Sequence, residues 1–307
     1  LTLLTEAGGL GGVANVTGAN ATLVFDSTST ASFNNATINL GSATTAGNLN
    51  IDGAATLTLG AGVTVQGTGN IGNQSFVGGT ATLINQGTIS ANLSGKTLTF
   101  SGNGVATFTN QGTLSALSGA TLALSATNWS NAVTGTISGT GATLNFNGAW
   151  SNAGTVTLSS STLNLGGTFS TAGIGTINRT SSTLNVTGTL NNTGATLTVG
   201  TGTALGILNL VSGTITGGTV QETAGTGLVF NTTGTLNGVT LRGVLDLSGT
   251  NNTARILNGL TLLTEAGGLG GVANVTGSGA TLVFDSTTTA SFNNATINLG
   301  SATTAGN

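Results

Sequence analysis

Between residues 87 and 192 apolar positions alternate with Thr, Ser and Asn, and the alternation is broken into three short phrases that recur in fixed order. The first is Thr-Leu-x-(Leu/Phe/Val), with Leu98 and Phe100, Leu122 and Leu124, Leu144 and Phe146, Leu163 and Leu165, Leu184 and Val186. The second places an aromatic residue or Leu two positions before a polar residue, usually Asn: Phe108 and Asn110, Trp129 and Asn131, Trp150 and Asn152, Phe169 and Thr171, Leu190 and Asn192. The third is Gly-Thr-(Ile/Leu/Val), at 87–89, 112–114, 135–137, 154–156 and 175–177. A period of two marks a strand with one buried face, and the Gly, Ser and Asn between phrases mark turns.

The column Phe108, Trp129, Trp150, Phe169, Leu190 advances by 21, 21, 19 and 21 residues. Three short strands and three turns in about 21 residues make one coil of a solenoid. Parallel strands need a crossover, and a solenoid coil is itself that crossover. The expected fold is therefore all-β: a parallel β-helix, right-handed by the usual chirality of such crossovers. An antiparallel sandwich or a propeller accommodates strands at this spacing, but neither explains one column returning every coil. Phe108, Trp129, Trp150, Phe169 and Leu190, with Leu144, Leu163 and Leu184 from the first phrase, are the expected core ladder. The two Trp residues suit a sugar-stacking platform as well as a core, but the apolar residues at the same coil position favour the core.

A longer period encloses the short one. Residues 1–48 return at 260–307, offset by 259, with 45 of 48 positions identical; Ala19, Asn20 and Ser29 become Ser278, Gly279 and Thr288. The chain reads as one tandem unit, 1–259, followed by the opening of a second, 260–307. It begins inside a strand-like phrase, "LTLL", so residue 1 is not expected to be a natural start. A unit should rise by about 12 coils of ~4.8 Å, roughly 60 Å, and coils should run from one unit into the next.

Composition sharpens this picture. Charged residues make up 4 %, against about 25 % in a typical soluble domain. The hydrophobic fraction of 37 % is enough for a core, Pro is 0 and Gly is 53 without a collagen period. In a stacked parallel sheet, equivalent outward positions lie ~4.8 Å apart on neighbouring coils, where repeated charges repel. Outward Thr, Ser and Asn can instead hydrogen-bond along the stack, and Gly suits tight corners.

These phrases, for example "GTISGTGATLNFNGAWSNAGTVTL" at 135–158, resemble the β-helical stalks of large bacterial surface proteins: filamentous-haemagglutinin-like adhesins, autotransporter passengers and β-strand repeat proteins. The resemblance implies a secreted or surface-displayed rod used as a fibre or for attachment.

Candidate chemistry is sparse. "GTGNIG" at 67–72 matches the dinucleotide glycine pattern but lacks the following helix and acidic residue. "SGKT" at 94–97 lacks the glycine of a phosphate loop, with Ser90 in its place; Lys96 is expected on a solvated corner. His and Cys are absent, which removes Ser-His-Asp, Cys-His and zinc arrangements. The acids are Glu6, Asp26, Asp52, Glu222, Asp246, Glu265 and Asp285, the last two being copies of the first two. They give no clear carboxylate pair for glycoside hydrolysis. Calcium nonapeptides are missing. Four basic residues are too few for a phosphate backbone, and no run of ~18 apolar residues can span a membrane. Asn-x-Ser/Thr triplets at Asn15, Asn20, Asn35, Asn128, Asn185 and Asn231 would be surface sites in a glycosylating source.

No enzyme activity, cofactor, metal or nucleic-acid partner is expected. The expected role is the shaft of a long extracellular or cell-surface fibre, its partners neighbouring copies end to end or side by side. The alternatives are an adhesin binding glycans or another surface ligand through a solenoid face, a polysaccharide-active β-helix, and ice binding through flat Thr rows. Ice binding would need Thr-x-Thr in register, and TLT, TIT and TVT are only scattered along the chain.

Overall fold

The computed structural model describes residues 11–26, 31–225, 227–285, 292–293, 295–301 and 305–306. The chain is an all-β parallel solenoid of about 12 turns with three parallel sheets. Its coil spacing averages roughly 23 residues, longer than the 21 read from the aromatic column. Its contacts divide it into two compact units, 1–163 with 173–182, and 164–172 with 183–307.

In the first unit each recurring phrase forms one face. The Gly-Thr-(Ile/Leu/Val) strands Thr88–Ala91, Thr113–Leu117, Thr136–Thr140, Thr155–Ser159 and Thr176–Thr180 stack in parallel, with Ile89, Leu114, Ile137, Val156 and Ile177 in one register. The Thr-Leu strands Thr97–Phe100, Thr121–Leu124 and Thr143–Phe146 align Leu98, Leu122 and Leu144. The aromatic strands Val105–Asn110, Asn128–Asn131 and Ala149–Asn152 form the third face. Coil length varies along the stack: Leu57, Leu83 and Phe108 share a register at steps of 26 and 25 residues. The added residues lie in the turns between strands and in a bulge between Val105 and Thr107, so the hydrogen-bonded ladder tolerates them.

One corner of this unit shows how the chain turns without proline. After each of four successive Gly-Thr strands comes a residue in the left-handed region: Ser118 (φ 54), Gly141 (φ 56), Ser160 (φ 48) and Ser181 (φ 49). The conformation turns the chain and aims the amide at the next coil. Ser118 N–H donates to Thr140 O at 3.0 Å, Gly141 to Ser159 O at 2.9 Å and Ser160 to Thr180 O at 3.0 Å. Glycine was expected at such corners; serine holds three of these four, at a backbone cost of about 1 kcal/mol each that the inter-coil bonds help offset.

The second unit flattens a corner. Thr214–Thr216 and Thr219–Thr223 are separate strands, yet on the next coil both pair with one ten-residue strand, Thr233–Arg242. The eleven-residue strand Thr253–Leu263 follows it, with a register shift between Asn237 and Val239. Left-handed Gly238 (φ 63), Asn258 (φ 54) and Gly259 (φ 89) make that bulge, so the chain bends while its ladder continues. Coils here therefore do not all contain the three short strands expected.

The duplicated segment joins a different phrase in each unit. In the first, Leu23 shares a register with Leu49, Ile71, Phe100, Leu124 and Phe146, the Thr-Leu face. In the second, its copy Thr281–Phe284 lies on Thr253–Leu263, where Leu190, Ile215, Leu236 and Ile256 of the Phe/Leu-x-Asn phrase align.

Candidate functional site

The expected core residues are all interior. Phe108, Leu144, Leu163, Leu184 and Leu190 are fully buried, and Trp129, Trp150 and Phe169 nearly so. Phe108, Trp129 and Trp150 are register partners on one face of the first unit, and Phe169 and Leu190 are partners in the second. The indoles of Trp129 and Trp150 stack with centroids 5.6 Å apart and planes at 17°, and Phe146 meets both edge-on at 4.8 and 5.3 Å. Trp129 Nε1 donates to Asn147 O at 2.7 Å, satisfying the one polar atom of a buried indole. Stacked inside the coil, the indoles present no face to a sugar.

Beside the aromatic column runs a second interior ladder that sequence reasoning placed outside. Asn85, Asn110, Asn131 and Asn152 are buried. Each of the first three donates Nδ2 to the Oδ1 of the next, at 2.8, 2.7 and 2.8 Å. The same amides reach main-chain oxygens at the bend, Asn110 to Gly112 O and Thr136 O, and Asn131 to Gly135 O. Two residues after an inward aromatic, period two itself points the side chain inward. The signal was present in the Phe-Thr-Asn and Trp-Ser-Asn phrases, and the polarity of Asn outweighed it. Where Thr171 breaks the pattern, the helical turn Thr171–Ile174 supplies a carbonyl, and Asn152 Nδ2 donates to Ile174 O at 2.9 Å. At the other end, Asn85 Oδ1 has no partner, because its register partner on the preceding coil is Leu59.

Outward amides also stack, on short runs. Asn92 donates to Gln66, Gln66 to Asn39 and Asn39 to Asn15, at 3.2, 2.9 and 2.8 Å; Asn209 donates to Asn185 and Asn185 to Asn164. The first unit carries a steadier outward column than its sequence suggested: Thr37, Thr64, Thr88, Thr113, Thr136, Thr155 and Thr176 are successive register partners. The position two residues on holds Asn39, Gln66, Ser90, Ser115, Ser138, Thr157 and Asn178. The column is a single Thr file, and Thr-x-Thr occurs in it once.

The carboxylates serve main-chain groups. Asp52 is fully buried; it accepts the N–H groups of Ser75 and Phe76 at 2.7 and 2.9 Å and pins the 72–80 loop, leaving Phe76 77 % exposed. Glu222 is fully buried and accepts Gly227 and Leu228 N–H on one oxygen and Val244 N–H on the other, at 3.0, 2.8 and 2.8 Å. Burial pushes its carboxyl above the usual range; the three donors oppose that shift and the charge of Asp246 adds to it. Asp246 accepts Ser248 N–H at 2.9 Å. Asp285 pairs with Arg255, and Glu265 accepts Ala224 N–H at 3.1 Å. Glu6 lies outside the described residues, and Asp26 is an exposed register partner of Asp52.

Among the described residues no group of three or more His, Cys, Asp or Glu is placed to hold a metal ion, and no helix is long and apolar enough to cross a membrane. The "GTGNIG" segment lies in strands Val63–Gly67 and Gly69–Ile71. Gly67, at φ 120, is needed because a Cβ there would collide with Leu40 O of the neighbouring coil. Lys96 closes the turn before Thr97–Phe100, its N–H on Leu93 O at 3.1 Å.

Comparison with protein-family models, curated proteins and solved structures returns no match. Fold and interior ladders define the class of the protein as a parallel β-solenoid.

Proposed function

We propose that this chain is a length of structural shaft from an extracellular or cell-surface fibre built of tandem 259-residue units, with no catalytic centre. One observation carries the reading. The pairing of Gly12–Val16 with Ala36–Leu40 recurs residue for residue, 259 positions on, as Gly271–Val275 with Ala295–Leu299. The second copy thus rebuilds the local ladder of the first. The polar interior supports the same reading: buried amides and carboxylates are taken up by neighbouring coils and main-chain donors, which suits stacking. Chains of two, three and four units, imaged side by side, test it. Filaments should lengthen by the same increment for each unit, and compact particles of constant length would sink the proposal.

The threonine file favours a second reading, attachment through that face, which ranks below the shaft because Thr-x-Thr occurs in it once and Thr136 and Thr113 already engage each other at 3.2 Å. Replacing Thr88, Thr113, Thr136 and Thr155 by Val would abolish binding to a glycan or solid surface under this reading and leave filament length unchanged.

A further inference from the structure

The opening residues of the unit occur twice, and the second occurrence lies against the end of the first copy. In the second copy the same residues are laid on a partner. Val272, Ala273 and Asn274 pair with Val244, Leu245 and Asp246. Thr281–Phe284 pair with Thr253–Ile256, while Phe292 and Asn293 pair with Leu260 and Thr261 of their own copy. Burial changes in both directions between the copies: Val13 is exposed where its counterpart Val272 is half-buried, whereas Val283 and Phe284 are exposed where Val24 and Phe25 are half-buried. Strands 244–246 and 253–256, which close the first copy, thus carry Val272–Asn274 and Thr281–Phe284 of the second.

Backbone pairing alone would not choose this junction. Thr-Leu strands recur along the chain, and a slip by one whole coil keeps every side chain on its proper face. Charge can make the distinction, and it is distributed to do so. Within one unit the acids Glu6, Asp26 and Asp52 precede every basic residue, and Arg242 and Arg255 close it. The two later acids, Glu222 and Asp246, accept backbone N–H groups within their own copy. At the junction Arg255 donates Nε (2.7 Å) and Nη2 to Oδ2 of Asp285, the counterpart of Asp26. Gln221 Nε2 donates to Glu265 O at 3.0 Å, Ala224 N–H donates to the Glu265 carboxylate, and Glu265 is the counterpart of Glu6. Arg242 lies against the turn at 264–268, where a Cβ on Gly267 would collide with its guanidinium.

We propose that residues 221–259 are a head-to-tail docking surface for the opening coil of another copy of this unit, in which strand pairing attaches the copies and Arg255, Gln221 and Arg242 select the register. The proposal rests on the shaft reading for its context, but its test needs only the 307-residue chain.

Hydrogen exchange supplies that test, because fragments spanning 17–26 and 276–285 are separable by Ala19-Asn20 against Ser278-Gly279. Thr281 and Asp285 N–H donate to Asn252 O and Ile256 O at 2.9 and 3.0 Å, so exchange at 281–285 reports on the junction separately from 22–26, which pairs with 48–52. Arg255→Asp should speed exchange at 281–285 by about three- to tenfold and leave 136–159 unchanged. Combining it with Asp285→Arg should restore the original rate. Unchanged exchange in Arg255→Asp, a uniform rise that includes 136–159, or failure of the reversed pair to restore protection would each overturn the docking surface. Filaments that fail to lengthen by whole units would instead sink the shaft reading and leave the outcome of the charge swap standing.

Discussion

Asn131 is bound from both sides, accepting from Asn110 Nδ2 and donating to Asn152 Oδ1 and Gly135 O. A buried amide in such a chain cannot be removed singly without orphaning its neighbours. Asn131→Leu should therefore cost about 2–4 kcal/mol in urea unfolding although it adds apolar volume; a neutral or stabilising result would show the ladder to be dispensable. Glu222 makes a prediction in pH. Its carboxyl is raised in the folded chain, so the unfolded chain gives up this proton first as pH climbs. Stability is then highest below the ordinary glutamate range and falls as pH rises through the raised folded value. Glu222→Gln should remove that fall, at a cost of about 1–3 kcal/mol at low pH because its amide cannot accept the Val244 N–H. Unfolding of both proteins followed across the acidic range reads the difference directly.

At the scale of a strand, the aromatic column concentrates packing in a few coils. Trp150 touches Trp129 and Phe146, and truncating it to Ala should cost about 3–5 kcal/mol. Because each coil bonds chiefly to its neighbours, the damage should stay local. Exchange should accelerate in Asn128–Asn131 and Ala149–Asn152 and remain unchanged in Ala36–Leu40; acceleration everywhere would mean that the stack unfolds as one block. Strand length is the less legible property here. Gly-Thr-Leu at 234–236 and Gly-Val-Thr-Leu at 238–241 look like two phrases with a turn between them, yet they form one strand through a bulge. The turn signal in the glycine was real. What it could not convey was that Asn258 Nδ2 would donate to Asn237 Oδ1 outside the bend, at 2.7 Å, instead of filling it from within.

For the whole molecule, the coil spacing resets the expected rise. At roughly 23 residues per coil, a 259-residue unit makes about 11 coils and, at ~4.8 Å each, lengthens a filament by roughly 54 Å, less than the 60 Å that a 21-residue coil implied. Electron microscopy of two-, three- and four-unit chains resolves that increment. The low charge follows the same stacking logic. A side chain repeated every coil meets its own copy, so amides and hydroxyls recur along the columns, while charged groups sit where they meet a main-chain donor or an opposite charge, as Asp52, Glu222 and Asp285 do.

The parallel solenoid and the apolar registers were legible in the chain because period two and the coil period are local properties, read from neighbouring residues. Leu98, Leu122 and Leu144, or Phe108, Trp129 and Trp150, meet because their phrases are spaced to meet. The direction of the asparagines, the left-handed serine corners and the merging of two strands into one were settled by packing, since each depends on which polar partner lies on the adjacent coil. The duplicated segment makes the division sharpest. Thr22–Phe25 and Thr281–Phe284 are the same four residues, yet one group joins the Thr-Leu face and the other the Leu190–Ile256 face. Which ladder a strand enters depends on how many strands and bends precede it, and that count is made by the folded coil.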